Sequence, residues 1–535
     1  MFSFNQITLA ILFKKSGNFP SEISCKTDVI KFQNSFLHLH NITLIIPLSP
    51  SGSAGFSKPC NTMKKGAYLF LAAGILPAAA AAQDRPNVVL INLDDAGNGD
   101  FSFKGAVGYT TPNIDNLASQ GMNMTNFYAV QPISGASRAG LLTGCYPNRI
   151  GFAGAPGPRS RTGINPEEET IAELLKKNGY ATAIFGKWHL GDSEKFLPLQ
   201  NGFDEYYGIP YSHDMWPFHP QYKYPDLPLI EGNKVIEYNP DISQLTTSYT
   251  EHSVDFIRRQ TAAGKPFFLY LAHSMPHVPL AVSDKFKGKS RQGLYGDVMM
   301  EIDWSIGEVL KALKETGVYG NTLVILTTDN GPWANYGNHA GSSGGLREAK
   351  ATTFGGGVRV PCVIMWQGKV SPGSVCNDLM SNIDILPTIV EATGSPSPSL
   401  KIDGLSMVPE ILGTAGSPVR ESLCLYYHKN SLEAVTDGSW KLVFPHKYVS
   451  YEVNFPGNDG QPGPLAQREV TECELYDLRR DPGERLNVIG HYPEVVERLM
   501  EVADRMRSDL GDDLQGIPGK NRREPGYADG ADVKK

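Results

Sequence analysis

The sequence predicts an α/β fold: a large mixed, mainly parallel sheet flanked by helices, with a smaller C-terminal α+β domain. Three observations carry this expectation. Apolar runs of strand length end abruptly in polar residues, as buried parallel strands do. Helical patterns lie between those runs, which is the mark of βαβ connections. The texture then changes after about residue 420.

Taken in order, Asn87-Val88-Val89-Leu90-Ile91-Asn92-Leu93 runs into Asp94-Asp95. A helix over 170–177 places Ile171, Leu174 and Leu175 on one face and stops at Asn178-Gly179. Tyr180-Ala181-Thr182-Ala183-Ile184-Phe185-Gly186 follows and runs into Lys187-Trp188-His189. Phe267-Phe268-Leu269-Tyr270-Leu271-Ala272 leads to His273 and then His277. A long helix over 295–316 carries Val298, Met299, Ile302, Ile306, Val309, Leu310 and Leu313, and stops at Gly317. Thr322-Leu323-Val324-Ile325-Leu326-Thr327-Thr328 ends in Asp329-Asn330-Gly331. Ligands of such sheets bind beyond the carboxyl ends of the strands. Four ends offering Asp, Lys, His and Asp-Asn therefore predict one polar site.

Beyond residue 420, Ala434-Val435-Thr436-Asp437-Gly438-Ser439-Trp440-Lys441-Leu442-Val443-Phe444 reads as a hairpin turning at Asp437-Gly438. Glu474-Leu475-Tyr476-Asp477-Leu478 reads as a further strand, and residues 493–508 as a helix. The domains expected are a catalytic domain over 85–418, an α+β subdomain over 419–510 and a loose polar tail over 511–535.

The 535 residues are 41% hydrophobic and 20% charged, ordinary for a globular chain large enough to bury a substantial core. A formal net charge of -7 gives no basic footprint for nucleic acid and argues against an anionic membrane surface. Met63-Lys64-Lys65, a short apolar stretch and a run of alanines through Ala82 read as a secretory signal peptide over 63–82. Residues 1–62 then read as an over-extended gene start; the alternative is a genuine extension with a buried apolar helix. The apolar stretch is too short to span a bilayer comfortably, so no membrane span is expected in the mature chain. The mature cysteines, Cys145, Cys362, Cys376, Cys424 and Cys473, are odd in number and lack CxxC spacing, which excludes a cysteine zinc site and a dense disulfide framework. Cys362 and Cys376 either pair or stay separate thiols.

Asp94-Asp95 and Asp329-Asn330 present hard oxygen donors, which suit Ca²⁺ or Mg²⁺ better than zinc. A single such Asp is as readily a cap or turn former, whereas two pairs at convergent strand ends favour a metal. Ser134-Gly135-Ala136-Ser137-Arg138 alone reads as a small-residue turn before a helix.

That pentapeptide also resembles the signature of the formylglycine-dependent sulfatases, in which a Cys or Ser opening C/S-x-P/A-S-R is oxidised to an aldehyde. The resemblance is broad. Asp94-Asp95-Ala96-Gly97-Asn98-Gly99-Asp100, Thr111-Pro112-Asn113-Ile114-Asp115, Gly186-Lys187-Trp188-His189-Leu190-Gly191, Asp329-Asn330-Gly331 and Gly356-Gly357-Val358-Arg359-Val360-Pro361 look like motifs of that family, in its order. Ile209-Pro210-Tyr211-Ser212-His213-Asp214 resembles the arylsulfatase A and N-acetylgalactosamine-6-sulfatase branch.

The resemblance implies an alkaline phosphatase-like fold and hydrolysis of a sulfate ester on a glycan, with galactose or N-acetylgalactosamine sulfate as the sugar. It implies that Asp94, Asp95, Asp329 and Asn330 hold Ca²⁺, with modified Ser134 completing the shell. Hydrated formylglycine at 134 would attack sulfur, and Arg138 would stabilise the diol. Lys187 and Lys350 would bind sulfate oxygens. His277 would protonate the leaving alcohol, and His189 would help deprotonate the remaining hydroxyl so that sulfate leaves. The chain departs from the family at Gly355, where relatives commonly carry Glu behind Lys350. His213, Asp214, Trp216 and His219 suit a sugar face or, equally, loop packing. The serine form implies a radical-type, oxygen-independent maturating enzyme as partner, and with the leader a bacterial periplasmic or secreted location. Two other readings stay open: a phosphate or phosphonate ester hydrolase with the same nucleophile, and a non-catalytic sulfated-glycan binder with unmodified Ser134.

Overall fold

The computed structural model describes residues 85–529. The signal peptide expected over 63–82 and the over-extended start expected over 1–62 lie outside them. A ten-stranded mixed sheet organises the molecule. Its strands in chain order are β1 (Asn87–Leu93), β2 (Met122–Met124), β3 (Ala181–Lys187), β4 (Glu205–Ile209), β5 (Pro228–Glu231), β6 (Lys234–Tyr238), β7 (Phe267–Ala272), β8 (Thr322–Thr328), β9 (Cys362–Trp366) and β10 (Ser374–Cys376). The spatial order is β10-β2-β9-β8-β1-β7-β3-β4-β5-β6. The stretch from β8 through β1, β7 and β3 to β4 is wholly parallel, and antiparallel pairs lie at both flanks. All seven residues of β1 are buried because both faces are covered. Val88 and Leu90 enter one core, while Val89, Ile91 and Leu93 enter the other.

The first core is closed by α2 (Ser134–Thr143), α3 (Ile171–Lys177) and α6 (Ile385–Thr393), and the second by α1 (Pro112–Gln120), α4 (Leu245–Ala262) and α5 (Leu294–Glu315). The helix expected at 170–177 starts at a capping box: Thr170 accepts from the Glu173 amide, and the Glu173 carboxylate accepts from the Thr170 amide. The long helix α5 begins one residue ahead of the expected start and ends one residue earlier.

The smaller layer is a four-stranded antiparallel sheet, β11 (Leu423–Tyr427), β12 (Ser431–Thr436), β13 (Trp440–Val443) and β14 (Glu474–Asp477), in that order. The β12–β13 turn is the expected Asp437-Gly438 turn; the Asp437 carboxylate accepts from the Ser439 and Trp440 amides, and Gly438 has φ 84°. Helix α7 (Pro493–Leu510) packs Val495, Leu499 and Ala503 on this sheet. The same cluster takes in Tyr128, Phe354 and Val358 of the large layer, so the two layers share apolar contacts.

One expectation is overturned and one open question is decided. The tail expected to be loose from Gly511 instead folds back through residue 529: Gly526–Tyr527 pair with Thr162–Gly163, and Arg523 Nε donates to Glu168 Oε1 at 2.6 Å. Its contacts are mainly ionic and main-chain, with Ala528 alone packing on the first core, and such contacts leave no apolar pattern to read. Cys362 and Cys376 sit on β9 and β10, either side of Met124 on β2. Two strand spacings make about 9–10 Å, beyond the roughly 7 Å that a disulfide can bridge between Cα atoms. They are separate thiols, as are Cys145, Cys424 and Cys473. Among the described residues no helix is long and apolar enough to cross a membrane.

Candidate active site

Register alone brings the four strand ends together. Leu93 pairs with Thr328, Asn92 with Ala272 and Ala272 with Gly186, so the chain leaves β1, β8, β7 and β3 at one level. Asp94 and Asp95 follow β1, Asp329 and Asn330 follow β8, His273 and His277 follow β7, and Lys187 closes β3. Asp95 takes φ 64°, a left-handed turn that carries its side chain back over the sheet edge. Its amide donates to Asp329 Oδ1 at 3.1 Å, and Asn330 Nδ2 donates to Asp95 Oδ1 at 2.7 Å.

Helix α2 delivers Ser134 to this edge from the first face. Ser134 is the first residue of the helix, and its Oγ lies 3.1 Å from Asp94 Oδ1 and 3.4 Å from Asn330 Oδ1. Gly135 beside it has no room for a side chain, because a Cβ there would stand 2.6 Å from the Gly154 carbonyl. One turn on, Arg138 Nε donates to Asp329 Oδ2 at 3.0 Å, and its Nη2 stands 3.7 Å from Asp94 Oδ1. Lys187 donates to Asp94 Oδ2. Lys350 Nζ donates to Asp95 Oδ2 at 2.8 Å. All of these groups are buried.

The electrostatics are those of a crowded cluster out of water. Burial pushes Asp94 upward, yet Lys187, His277, Arg138 and Lys350 together hold it well below the ordinary carboxylate range. Asp95 is pushed up to about 7 by burial and by its neighbours Asp94 and Asp329, against Lys350. Asp329 is raised by burial and by Asp94. Three mutually repelling carboxylates and an amide oxygen converging from two loops fit a hard divalent cation, whose charge would relieve that repulsion. Oxygens of Asp94 and Asp95 and a ring nitrogen of His277 lie within 4.8 Å of one another, so His277 stands at the edge of the same cluster.

The histidines are held differently. The His277 Nδ1 faces the Val278 carbonyl, which can only accept, so its Nε2 is the free lone pair; that atom lies 3.5 Å from Asp95 Oδ2. Burial and Lys350 drive its basicity well below that of free imidazole. His189, at φ 66°, is buried with neither ring nitrogen hydrogen-bonded. An unpaired buried imidazole is costly unless something else supplies its partner. Burial, Lys187 and Arg138 keep it neutral. His273 is different: it points into the core, its Nε2 3.2 Å from Ser305 Oγ.

Lys350 arrives on a strap rather than a strand end. Glu348 and Ala351, on either side of it, take φ 57° and 65°, which non-glycine residues adopt at a cost. The smaller layer holds this shape. The Glu348 carboxylate accepts from Ser450 Oγ at 2.7 Å and the Tyr451 amide at 2.8 Å, and Tyr451 Oη donates to the Lys350 carbonyl at 2.7 Å. Beside this strap Glu484 comes in from the smaller layer: its Oε1 accepts from the Gly355 amide at 3.0 Å and from Lys441 Nζ at 2.9 Å.

Of the remaining sequence-selected residues, His213 lies against His277 with ring centroids 5.6 Å apart and its Nε2 3.1 Å from the Pro279 carbonyl oxygen. Asp214 is near enough for His277 and His213 to hold it below its ordinary value despite burial. Trp216 stands further out, packed edge-on against Phe218 on the wall of a cavity. Trp333 escaped the sequence reading although it follows Asp329-Asn330-Gly331-Pro332 directly; its ring lies between the His277 ring, 5.4 Å away, and Lys350 Nζ, 4.4 Å away. Tyr451 and Glu484 escaped it too, and no local pattern marks them.

The family model for sulfatases matches residues 86–395, and that for the C-terminal region of aryl-sulfatase matches 419–520. The model for the C-terminal part of N-sulphoglucosamine sulphohydrolase matches 349–449. Arylsulfatase A of Bos taurus is 36% identical over 81% of this chain and 89% of its own length. N-acetylgalactosamine-6-sulfatase of Mus musculus is 36% identical over 84% of this chain and 91% of its own. Among solved structures, the PsFucS1 sulfatase from Pseudoalteromonas sp. superposes with a TM-score of 0.73 at 28% identity, covering 84% of this chain and 93% of that one. With its sheet, its second domain and these relatives in agreement, the chain belongs to the sulfatase family, the enzymes that hydrolyse sulfate esters.

Proposed function

We propose that this sulfatase cleaves a sulfate ester of a galactose or N-acetylgalactosamine unit, with residue 134 in its formylglycine form as nucleophile. The observation that carries the reading is the setting of Ser134 Oγ: within 3.4 Å of Asp94 and Asn330, inside a buried ring of Lys187, Lys350, Arg138, His189 and His277. The name of the Mus musculus relative supports the choice of sugar.

The geometry supports the following roles. Asp94, Asp95, Asp329 and Asn330 would hold a divalent cation, Ca²⁺ by the hardness of its donors, which would supply positive charge for the sulfate oxygens. The hydrated aldehyde would supply an attacking oxygen and a second hydroxyl whose deprotonation expels sulfate. Arg138, permanently charged, stabilises the oxygens at 134. Lys187 and Lys350 bind sulfate oxygens and neutralise charge as the S–O bond breaks. His277 keeps its Nδ1 proton on the Val278 carbonyl, so Nε2 is the atom that takes the proton released by the attacking hydroxyl and passes it to the leaving alcohol. His189, with both nitrogens unpaired, takes the proton of the second hydroxyl.

Serine at position 134 supports a radical-type maturating enzyme as partner, and the leader supports a periplasmic or secreted location. The test is co-expression with such an enzyme, followed by mass spectrometry of the Ser134 peptide and paired assays on aryl sulfate and aryl phosphate. The expected result is a loss of two hydrogens and turnover of the sulfate. Faster phosphate turnover would transfer the assignment to phosphoryl esters, and sulfated-sugar binding without turnover would make the chain a binder.

A further inference from the structure

Beyond His277 lies a cavity of about 360 Å³, within the range of small-ligand sites. Its inner wall is continuous with the cluster: Pro279 carries the carbonyl that His213 contacts, and Tyr336 packs on Trp333, which packs on His277. It therefore abuts the cluster, with Val278, whose carbonyl faces His277 Nδ1, on its wall. Trp216, Pro279 and Tyr336 give it apolar and aromatic faces of the kind that pyranose rings stack on, and Phe218, 69% exposed, extends the face outward.

The opposite rim is Asp459 and Gly460, on a loop of the smaller layer that is fixed in place. The Gly457 and Gly463 amides both donate to the Asn335 carbonyl at 2.7 Å. Asn338 Nδ2 donates to Asp459 Oδ1 at 2.8 Å, and the Asp459 amide returns a bond to Asn338 Oδ1 at 2.8 Å. Gly337, at φ 59°, lets the two segments touch, since a Cβ there would lie 2.0 Å from the Gly457 carbonyl.

The charge of this lining is one-sided. Asp214 and Asp459 face the cavity together with His219 and His339, and neither Lys nor Arg lines it. The site cations Lys187 and Lys350 are paired with Asp94 and Asp95. We infer that the cavity seats a sugar carrying no anionic group besides the sulfate under attack, and that Asp214 and Asp459 turn away residues with a second sulfate or a carboxylate. The like-charge juxtaposition does the selecting, a repulsive element added to an apolar seat. This rests on the proposed sulfated-sugar substrate and adds its charge class.

The experiment measures binding by calorimetry to the protein as encoded, with Ser134 unmodified, so that it does not depend on turnover. The probes are N-acetylgalactosamine 6-sulfate and its 4,6-disulfate, each against wild type, Asp459→Asn and Asp459→Lys. Wild type is expected to bind the monosulfate at least about 10-fold more tightly. Asp459→Asn, which keeps an oxygen for Asn338, is expected to narrow that ratio about threefold, and Asp459→Lys to close or invert it. Equal affinities in wild type, or a ratio unmoved by either substitution, would overturn the inference, as would absence of monosulfate binding. Aryl sulfate turnover by matured wild type is the separate arm: its failure would sink the proposed chemistry while a charge-dependent binding ratio would leave the cavity assignment standing.

Discussion

Asp94 and Lys350 reach the same few cubic ångströms by different means. Asp94, Asp95, Lys187, Asp329 and Asn330 sit where hydrogen-bonded parallel strands end, so the register of the large sheet places them. Lys350 is placed by a strained strap that Tyr451, Ser450 and Glu484 hold from the smaller layer. The first group belongs to the most deeply buried part of the fold, while the second depends on contacts between two layers. Damage to the smaller layer should therefore spare the strand-end cluster and loosen only the proposed sulfate contact of Lys350.

The largest effect tests the hub common to both. Ser134→Ala, against matured wild type, should lower aryl sulfate kcat by at least about 10³-fold with little change in Tm, because the proposed nucleophile is removed and the fold is not. Stripping divalent cations with a chelator comes next: activity should be lost and Tm should fall, with both returning on adding Ca²⁺. Retained Tm and activity would remove the cation from the strand-end cluster. Lys187→Met should cost kcat about 10²–10³-fold, the scale of one charge-stabilising donor. Tyr451→Phe should cost about fivefold, the size of one hydrogen bond, and the loss should appear in KM more than in kcat. A kcat loss as large as that of Lys187→Met would erase the distinction between the two regions.

The smallest effect reports on the strap's footing. Burial raises the Glu433 carboxyl to about 8, and it accepts from Thr353 Oγ1 at 2.8 Å. His446 presents Nε2 at 3.4 Å while its Nδ1 faces the Phe444 carbonyl, an arrangement that suits a protonated Glu433. The folded state then binds one more proton than the unfolded chain between about pH 4.5 and 8. Its contribution to stability is thus full below that window and declines as pH rises through it. Glu433→Gln should flatten the fall in Tm between pH 5 and 8, and an unchanged slope would leave Glu433 ionised.

What was legible in the sequence divides along the same line. The four strand ends could be read because each apolar run is local and a parallel sheet brings the carboxyl ends together. Cys362 and Cys376 could not be decided, since only β2 lying between β9 and β10 separates them. Tyr451, Glu484 and Asp459 were invisible for a related reason. Their partners Lys350, Gly355 and Asn338 lie far away in the chain, and single hydrogen bonds leave no periodic trace. The tail misled because its polar composition satisfies mainly Glu168 and main-chain groups, with little apolar surface on the core.

Ser134 is 1% exposed at the head of a helix whose ten residues are all buried. No second protein can reach that side chain once the sheet edge has closed over it. Any enzyme that rewrites residue 134 must act while the segment is still an open peptide. Folding therefore sets a deadline: a chain that closes before the chemistry is done keeps an ordinary serine, and a mature preparation records the outcome of that race.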